Sequence, residues 1–166
     1  MKMPTAKTKP TWREKLDRDE GFPKVVPIGP SMTSRWGEGT MVIPAPREVD
    51  EIMKRIPVGK LITINEIRAV LARRHGATIG CPMTTGIFTW IAANAAEEGA
   101  GRPTGRDVTP YWRTLKTGGF LNEKYPGGIS SQKAKLEKEG HRVEQQGKRY
   151  AVAGYEKSLA VAEVED

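Results

Sequence analysis

The sequence predicts a mainly α-helical protein with a small β component: a winged helix-turn-helix domain with an extended N-terminal arm. Two segments with helical apolar spacing follow each other over about 63–98, separated by a short turn that contains glycine. Alternating residues on both sides of 145–147 indicate a β-hairpin. The first 40 residues are rich in Lys, Thr, Pro and Gly, which favours a weakly folded arm that drapes over the domain.

Length and composition limit the class of protein. A chain of 166 residues suits one compact domain with extensions. Its single cysteine, Cys81, excludes an intramolecular disulfide framework and a cysteine-clustered zinc site, and His75 and His141 lie far apart, so we expect no metal and no cofactor. No apolar run approaches the roughly 20 residues that cross a bilayer, and the first residues contain no apolar signal stretch. We therefore expect a cytoplasmic monomer with no membrane partner, nucleoid-associated if prokaryotic.

The charge is unevenly distributed. The chain has 27 Lys and Arg against 20 Asp and Glu, a formal net charge of +7. Residues 99–150 hold 11 of these cations against 5 anions. A basic excess confined to one region is expected where a face of the protein meets a polyanion such as double-stranded DNA. The alternative, a solvated basic surface without a partner, stays open at this point.

The first helix of the domain begins at residues 44–46, because proline is favoured in a first helical turn. Its apolar residues recur at i, i+3, i+4 and i+7, the pattern of a helix packed on a core. They are Val49, Ile52, Met53 and Ile56. Residues 57–59 end this helix, and 60–62 form a short strand.

The helix pair comes next. Thr63 caps the second helix, and Glu66, three positions later, completes a capping box. Thr84 and Thr85 are expected to cap the third helix, which runs to about residue 98. The residues expected on its buried face are Ile87, Trp90 and Ile91.

In the second half of the chain, the sequence predicts a helix over about 129–139, introduced by Tyr125-Pro126-Gly127-Gly128. A hairpin is expected after it, with strands over 141–144 and 148–152. A last helix is expected from Tyr155 to about residue 162. The chain is thus divided into an arm over 1–40, a winged-helix domain over 41–153, and a C-terminal helix with an acidic tail over 154–166.

The order of these motifs resembles the DNA-binding domain of the O6-alkylguanine-DNA alkyltransferases (methylated-DNA–protein-cysteine methyltransferases) and of the related alkyltransferase-like proteins, over roughly 44–144. The similar stretches are Ile56–Thr63, the Thr84–Asn94 helix at the recognition-helix position, Thr109–Thr114 where the family has Pro-Cys-His-Arg-Val, Tyr125–Gly128, and Glu139–Arg142. The resemblance implies a winged helix that binds duplex DNA without a cofactor.

Two departures bear on the activity. Aligned on Pro110 and Arg113, the chain has Tyr111 at the acceptor cysteine and Trp112 at the histidine that takes up its proton. A phenol with a pKa near 10 is a poor nucleophile at neutral pH, and an indole accepts no proton. Alkyltransferase-like proteins also lack this cysteine and bind alkylated bases without repairing them. The resemblance therefore implies a non-enzymatic protein that recognises O6-alkylguanine or a similar damaged base and flags it for nucleotide-excision repair proteins.

Candidate site residues follow from these positions. The candidate lesion pocket, acting by stacking, comprises Tyr111, Trp112 and Arg113. The candidate DNA contacts are Thr84, Thr85 and Thr89 on the recognition helix, Arg73 and Arg74 before it, and Arg113, Lys116, Lys148 and Arg149 as phosphate contacts. The family's base-extruding arginine falls at Thr85 and its phosphate-rotating tyrosine at Ile64, so DNA binding carries over better than base flipping.

Other interpretations remain. Tyr111 and Trp112 also suit an ordinary core, and Thr84 and Thr85 suit simple caps. A winged-helix regulator or architectural protein without lesion selectivity would share most of these features. A methyltransferase acting through Cys81 is a further alternative, because a helix N-terminus lowers the pKa of a thiol. The usual role of a lone cysteine before a proline is that of a small packed residue.

Overall fold

The computed structural model describes residues 9–18, 21–99 and 108–160, and about half of the structure is helical, with small sheets. The helices are α1 (Trp12–Leu16), α2 (Pro30–Trp36), α3 (Pro46–Lys54), α4 (Ile64–His75), α5 (Pro82–Gly99) and α6 (Gly128–Lys138). The strands are β1 (Lys24–Pro27), β2 (Thr40–Ile43), β3 (Ile62–Thr63), β4 (Ile79–Gly80), β5 (Thr114–Leu115), β6 (Val143–Gln146) and β7 (Arg149–Val152). Short 3-10 helices span Tyr111–Arg113 and Tyr155–Ser158.

The strands form three small sheets. β2 pairs antiparallel with β1 and parallel with β4, which joins the arm to the connection between α4 and α5. β3 pairs parallel with β5. β6 and β7 form an antiparallel hairpin, with Val143 opposite Val152. The predicted hairpin is therefore confirmed.

The core is built around α5, which packs against α1, α3 and α4. Its alanines and Ile91 meet the apolar side of α3 and α4 in the main cluster of buried residues. A second cluster lies under the hairpin and contains Leu61, Leu115 and Leu136. Trp112, partly buried, packs against both clusters. The segment that contains the candidate lesion pocket thus lies between the two halves of the core.

Local sequence signals set the helix ends where they were expected. Ala45 is the N-cap of α3, and Pro46 is its first residue. Thr63 and Glu66 form the predicted capping box of α4, in which the hydroxyl of Thr63 also donates to the Glu66 carboxylate at 2.7 Å. Gly76 ends α4 in the left-handed conformation, which glycine adopts at little steric cost.

The third helix starts earlier than predicted. α5 begins at Pro82, so Thr84 and Thr85 lie inside it and do not cap it. The backbone N–H of Thr85 already donates to the carbonyl of Cys81 at 3.1 Å, the bond of a first helical turn. Proline fixes a helical φ and lacks the N–H that a first turn leaves unsatisfied, so it starts a helix more effectively than a threonine further on. Ile87 faces outward, against the prediction, and is 43% exposed.

The two ends of the chain also differ from the prediction. The arm is not weakly folded between 24 and 40: β1 pairs with β2 along four residues, and α2 packs Met32 and Trp36 against buried Met41. Long-range pairing outweighs the local effect of its prolines. The last helix is a single 3-10 turn that ends at Ser158, because Leu159 bridges to Leu61 in extended conformation. The predicted continuation to 162 lies partly outside the described residues.

Two glycines allow a matched test of the connection between α4 and α5. A Cβ on Gly80 would lie 2.7 Å from the backbone oxygen and 2.9 Å from the Cα of Arg68, whereas a Cβ on Gly86 meets nothing within 4 Å. We expect Gly80→Ala to lower the free energy of unfolding by about 1–3 kcal/mol. Gly86→Ala should raise it by about 0.5–1 kcal/mol, since alanine is the better helix former. Urea unfolding of both variants tests this, and equal effects would contradict the close contact.

Candidate nucleic-acid interface

Tyr111, in the position of the acceptor cysteine, is a buried structural residue. It is 2% exposed, and its hydroxyl donates to Oε2 of Glu97 at 2.9 Å. Its ring meets Tyr125 and Trp112 edge to face, with centroids 5.4 and 5.5 Å apart. Burial, and then the hydrogen bond to Glu97, raises the pKa of Tyr111 above its ordinary value. The phenol therefore stays protonated at neutral pH and is not placed to stack on a base in this conformation, a correction to its predicted role.

Arg113 is also buried. Only 8% of it is exposed, and its guanidinium pairs with the Glu139 carboxylate at 2.7 Å while Nη1 donates to the carbonyl of Ile56 at 2.7 Å. An arginine with these internal partners is not available to a phosphate. Its predicted roles in a lesion pocket and as a phosphate contact are therefore wrong for this conformation.

Trp112 shares the same carboxylate. Its indole Nε1–H donates to Oε2 of Glu139 at 2.9 Å. Part of its ring is accessible, and the ammonium of Lys135 lies 5.4 Å from the ring centroid. Among the three predicted pocket residues, Trp112 alone has a partly exposed side chain. It is the one that remains available for contact with a ligand.

Glu139 is held as an anion by this network. Burial acts to raise its pKa, but hydrogen bonds from Arg113, Trp112 and the backbone of Gly59 outweigh it, and the pKa of Glu139 lies below its ordinary value. The carboxylate thus joins the end of α6 to the turn at 111–113 and to the loop after α3.

The threonines of α5 point inward. Thr85 and Thr89 are fully buried, and the hydroxyl of Thr89 donates to the carbonyl of Gly86 at 2.8 Å. The hydroxyl oxygen of Thr84 is buried as well. Thr85 and Thr89 are thus not accessible to DNA in this conformation, whereas the contact predicted for Thr84, which is partly exposed, stays a prediction. The outer face of α5 carries Met83, 73% exposed, and Ile87.

The two arginines at the end of α4 differ in their surroundings. Arg73 is exposed and remains a candidate DNA contact. Arg74 is turned toward α3, where its Nη1 lies 3.8 Å from the Glu48 carboxylate, which also contacts His75. The predicted role of Arg74 is corrected accordingly: its charge has an internal partner.

Four cations are linked through the residues that lie between them, in a series that we call the basic track. It begins on the hairpin, where the Arg149 guanidinium lies 3.8 Å from the centroid of the Phe120 ring. The carbonyl of Phe120 accepts from the backbone N–H of Lys116 at 2.8 Å, and the next residue, Thr117, donates to Asn65 at 3.3 Å. The remaining members are Arg68, which donates to Asn65 at 3.4 Å, Trp36, and Arg35.

The predicted cations occupy different parts of this surface. Lys116 and Arg149 belong to the basic track, and Lys148 is exposed beside Arg149 in the hairpin turn. Lys116 also lies 3.4 Å from Glu123 in an exposed ion pair, which is easily exchanged for another anion. Arg35, Trp36 and Arg68 were not predicted. The sequence places Arg68 on the polar side of α4, three residues after Asn65. It contains no indication that Arg68 contacts the arm.

The fold can be compared with known proteins. It is similar to the crystal structure of Atl1 from S. pombe in complex with damaged DNA containing O6-carboxymethylguanine, with a TM-score of 0.47 and 21% sequence identity. The similarity covers 69% of this chain and 92% of the Atl1 chain. Atl1 is an alkyltransferase-like protein, the class that the sequence motifs resemble. No protein-family model matches the chain, and no curated protein matches it significantly.

The described part of the chain contains neither a candidate metal site nor a helix that could span a membrane. No group of three or more His, Cys, Asp or Glu side chains in 9–18, 21–99 and 108–160 could hold a metal ion. No helix within the same ranges is long and apolar enough to cross a membrane.

The Glu139 network predicts a pH-dependent stability. Glu139→Gln leaves the buried Arg113 without a carboxylate, and we expect a loss of about 3 kcal/mol in the free energy of unfolding at pH 7. A lowered folded-state pKa stabilises the protein above the unfolded value near 4.3 and ceases to do so as pH falls through the folded value. The difference in the free energy of unfolding between wild type and Glu139→Gln should therefore become smaller below about pH 4. The matched control is Glu123→Gln in the exposed pair with Lys116, expected to cost under about 1 kcal/mol.

Denaturant unfolding of the three proteins between pH 3 and pH 7 measures both effects. Equal losses for Glu139→Gln and Glu123→Gln would contradict a structural role for the buried carboxylate.

Proposed function

We propose that this protein binds duplex DNA along the basic track and, like the alkyltransferase-like proteins, recognises O6-alkylguanine or a similarly enlarged base without repairing it. The observation that carries the proposal is the track itself. It joins the hairpin, the turn at 116–120 and the first turns of α4 by contacts between neighbouring residues. In the described residues, Arg149 and Arg68 have no carboxylate within ion-pair distance. Unneutralised guanidiniums in a row suit the regularly spaced phosphates of a duplex.

The helix pair and the hairpin support a winged-helix mode of binding. α5 follows α4 after a short connection through β4, and its first turns present Met83 and Ile87 to solvent. In such domains the start of the second helix enters the major groove and the hairpin contacts the backbone. The apolar side chains would then meet base edges or the thymine methyl group, while Lys148 and Arg149 contact phosphates.

A role without chemistry is supported by the residues that occupy the reactive positions. The hydroxyl of Tyr111 is bonded to Glu97, and the indole N–H of Trp112 is bonded to Glu139. Cys81, the one thiol, packs among Ile28 and Met41 in an apolar cluster. A buried thiol with such neighbours is a packing residue, which disfavours alkyl transfer through Cys81. Hand-over of the lesion to nucleotide-excision repair proteins, in the cytoplasm or nucleoid, completes the proposal.

The decisive experiment compares two duplexes that differ in one base. We expect tighter binding to a duplex with a single O6-methylguanine than to its unmodified twin, measured by fluorescence anisotropy. Both affinities should fall with salt, with a log–log slope of about −0.9 for each phosphate neutralised. Equal affinities with a steep slope would favour the alternative, a winged-helix module without lesion selectivity. Affinity that does not change with salt would contradict DNA binding altogether, and labelled methyl recovered on Cys81 would restore an enzyme.

The outer face of α5 can be tested separately. We expect Met83→Ala to weaken binding to both duplexes, because an exposed apolar side chain at the start of the helix is buried when the helix enters a groove. Val58→Ala is the matched control, since Val58 is equally exposed but lies in the loop after α3. Neither substitution should change thermal stability, as both side chains are largely in solvent. Equal affinities for the two variants would contradict entry of α5 into the groove.

A further inference from the structure

The basic track continues beyond the alkyltransferase-like region into the N-terminal arm. Trp36, the last residue of α2, meets two guanidiniums: that of Arg68 at 4.4 Å from the ring centroid and that of Arg35 at 5.2 Å. The ring is held in place because it packs against the cluster that contains Met41 and Cys81. Two cationic side chains thus meet at one aromatic ring.

Arg68 is fixed in place by its other contacts. Its Nε donates to the carbonyl of Gly80 at 2.8 Å, and its Nη1 contacts Asn65 at 3.4 Å. Its Nη2 has no hydrogen-bond partner within 9–18, 21–99 and 108–160. A guanidinium oriented in this way keeps donors for a ligand without the entropy loss of ordering a free side chain.

The two like charges are not compensated by the part of the protein that the structure describes. Burial lowers the pKa of Arg68, and the positive charge of Arg35 lowers it further, against an opposing effect of Cys81. Within the described residues no carboxylate lies within 4.0 Å of either guanidinium, whereas Arg47, Arg113 and Arg142 each have one. Two neighbouring cations without an anion match a ligand that brings its own negative charge.

The position of the pair indicates which anion this is. Asn65, which contacts Arg68, lies in the first turn of α4, where the helix dipole favours negative charge. Thr117 and Lys116 adjoin Asn65 and extend the same surface toward the hairpin. An anion that contacts Arg35 and Arg68 is therefore one phosphate of a longer row, as in a nucleic-acid backbone.

We infer that Arg35, Trp36 and Arg68 form a phosphate-binding site through which the N-terminal arm takes part in binding the DNA backbone. The inference rests on the proposed function for the identity of the ligand. Trp36 acts as a positioning residue, whose ring holds both guanidiniums, and the two arginines contact the phosphate. The arm then adds affinity for any duplex and does not add selectivity for the lesion.

The test measures the salt dependence of binding to unmodified duplex for wild type, Arg35→Ala, Arg35→Lys, Trp36→Leu and the control Arg47→Ala. Arg47 is a surface arginine that already pairs with Asp17. We expect Arg35→Ala to reduce the log–log slope by about 0.9, the value for one phosphate contact, and Arg35→Lys to restore most of it. Trp36→Leu should weaken binding while keeping the apolar packing. Arg47→Ala should match wild type.

A second measurement does not depend on DNA. Inorganic phosphate that replaces chloride at constant ionic strength should raise the melting temperature of wild type more than that of Arg35→Ala. If DNA does not bind at all, the proposed function falls, and a persisting difference leaves only a site for free phosphate and not the inferred role in binding the backbone. If Arg35→Ala and Trp36→Leu bind DNA with the same log–log salt slope as wild type, the inference is overturned. A phosphate effect on melting together with an unchanged slope overturns it as well, because the site would then take free phosphate and not the backbone.

Discussion

The arrangement of the candidate interface depends on one buried carboxylate. Glu139 accepts hydrogen bonds from Trp112, Arg113 and the backbone of Gly59. Arg113 also donates to the carbonyl of Ile56. Three segments that are distant in sequence therefore meet at one anion. Because charges buried in this way are stable only with their partners in place, the network fixes the turn at 111–113 in a single geometry. The strand and loop that follow this turn, including Lys116, take their position from it.

Local signals in the sequence predicted the parts of the fold that depend on a few neighbouring residues. The capping box of Thr63 and Glu66, the glycine that ends α4, and the hairpin were correct because each is determined within about four residues. The start of α5 was wrong because two local signals competed, and Pro82 prevailed over the threonines. The strand pairing of the arm was missed because it joins residues about 15 apart, which no local pattern encodes.

The candidate site was predictable only in part, for the same reason. The alignment placed Tyr111, Trp112 and Arg113 in one turn, and they do lie together. It could not reveal that their polar atoms are hydrogen-bonded to Glu97 and Glu139. Those partners come from α5 and from the end of α6. Sequence also gave no reason to place Arg68 on an aromatic ring of the arm. Burial and long-range pairing separate a structural arginine such as Arg113 from one that is free to bind an anion, and neither is visible in composition.

The arm and the outward face of α5 share one rigid support. β2 pairs with β4 immediately before α5, and the backbone N–H of Cys81 donates to the carbonyl of Val42 at 2.9 Å. Gly80 lies against the backbone of Arg68, so α4, the sheet and the start of α5 cannot move independently without losing close contacts. A phosphate held at Arg35 and Arg68 would therefore also determine how far Met83 reaches toward the bases. If the duplex binds as proposed, the arm would couple contact with the backbone to the position of α5.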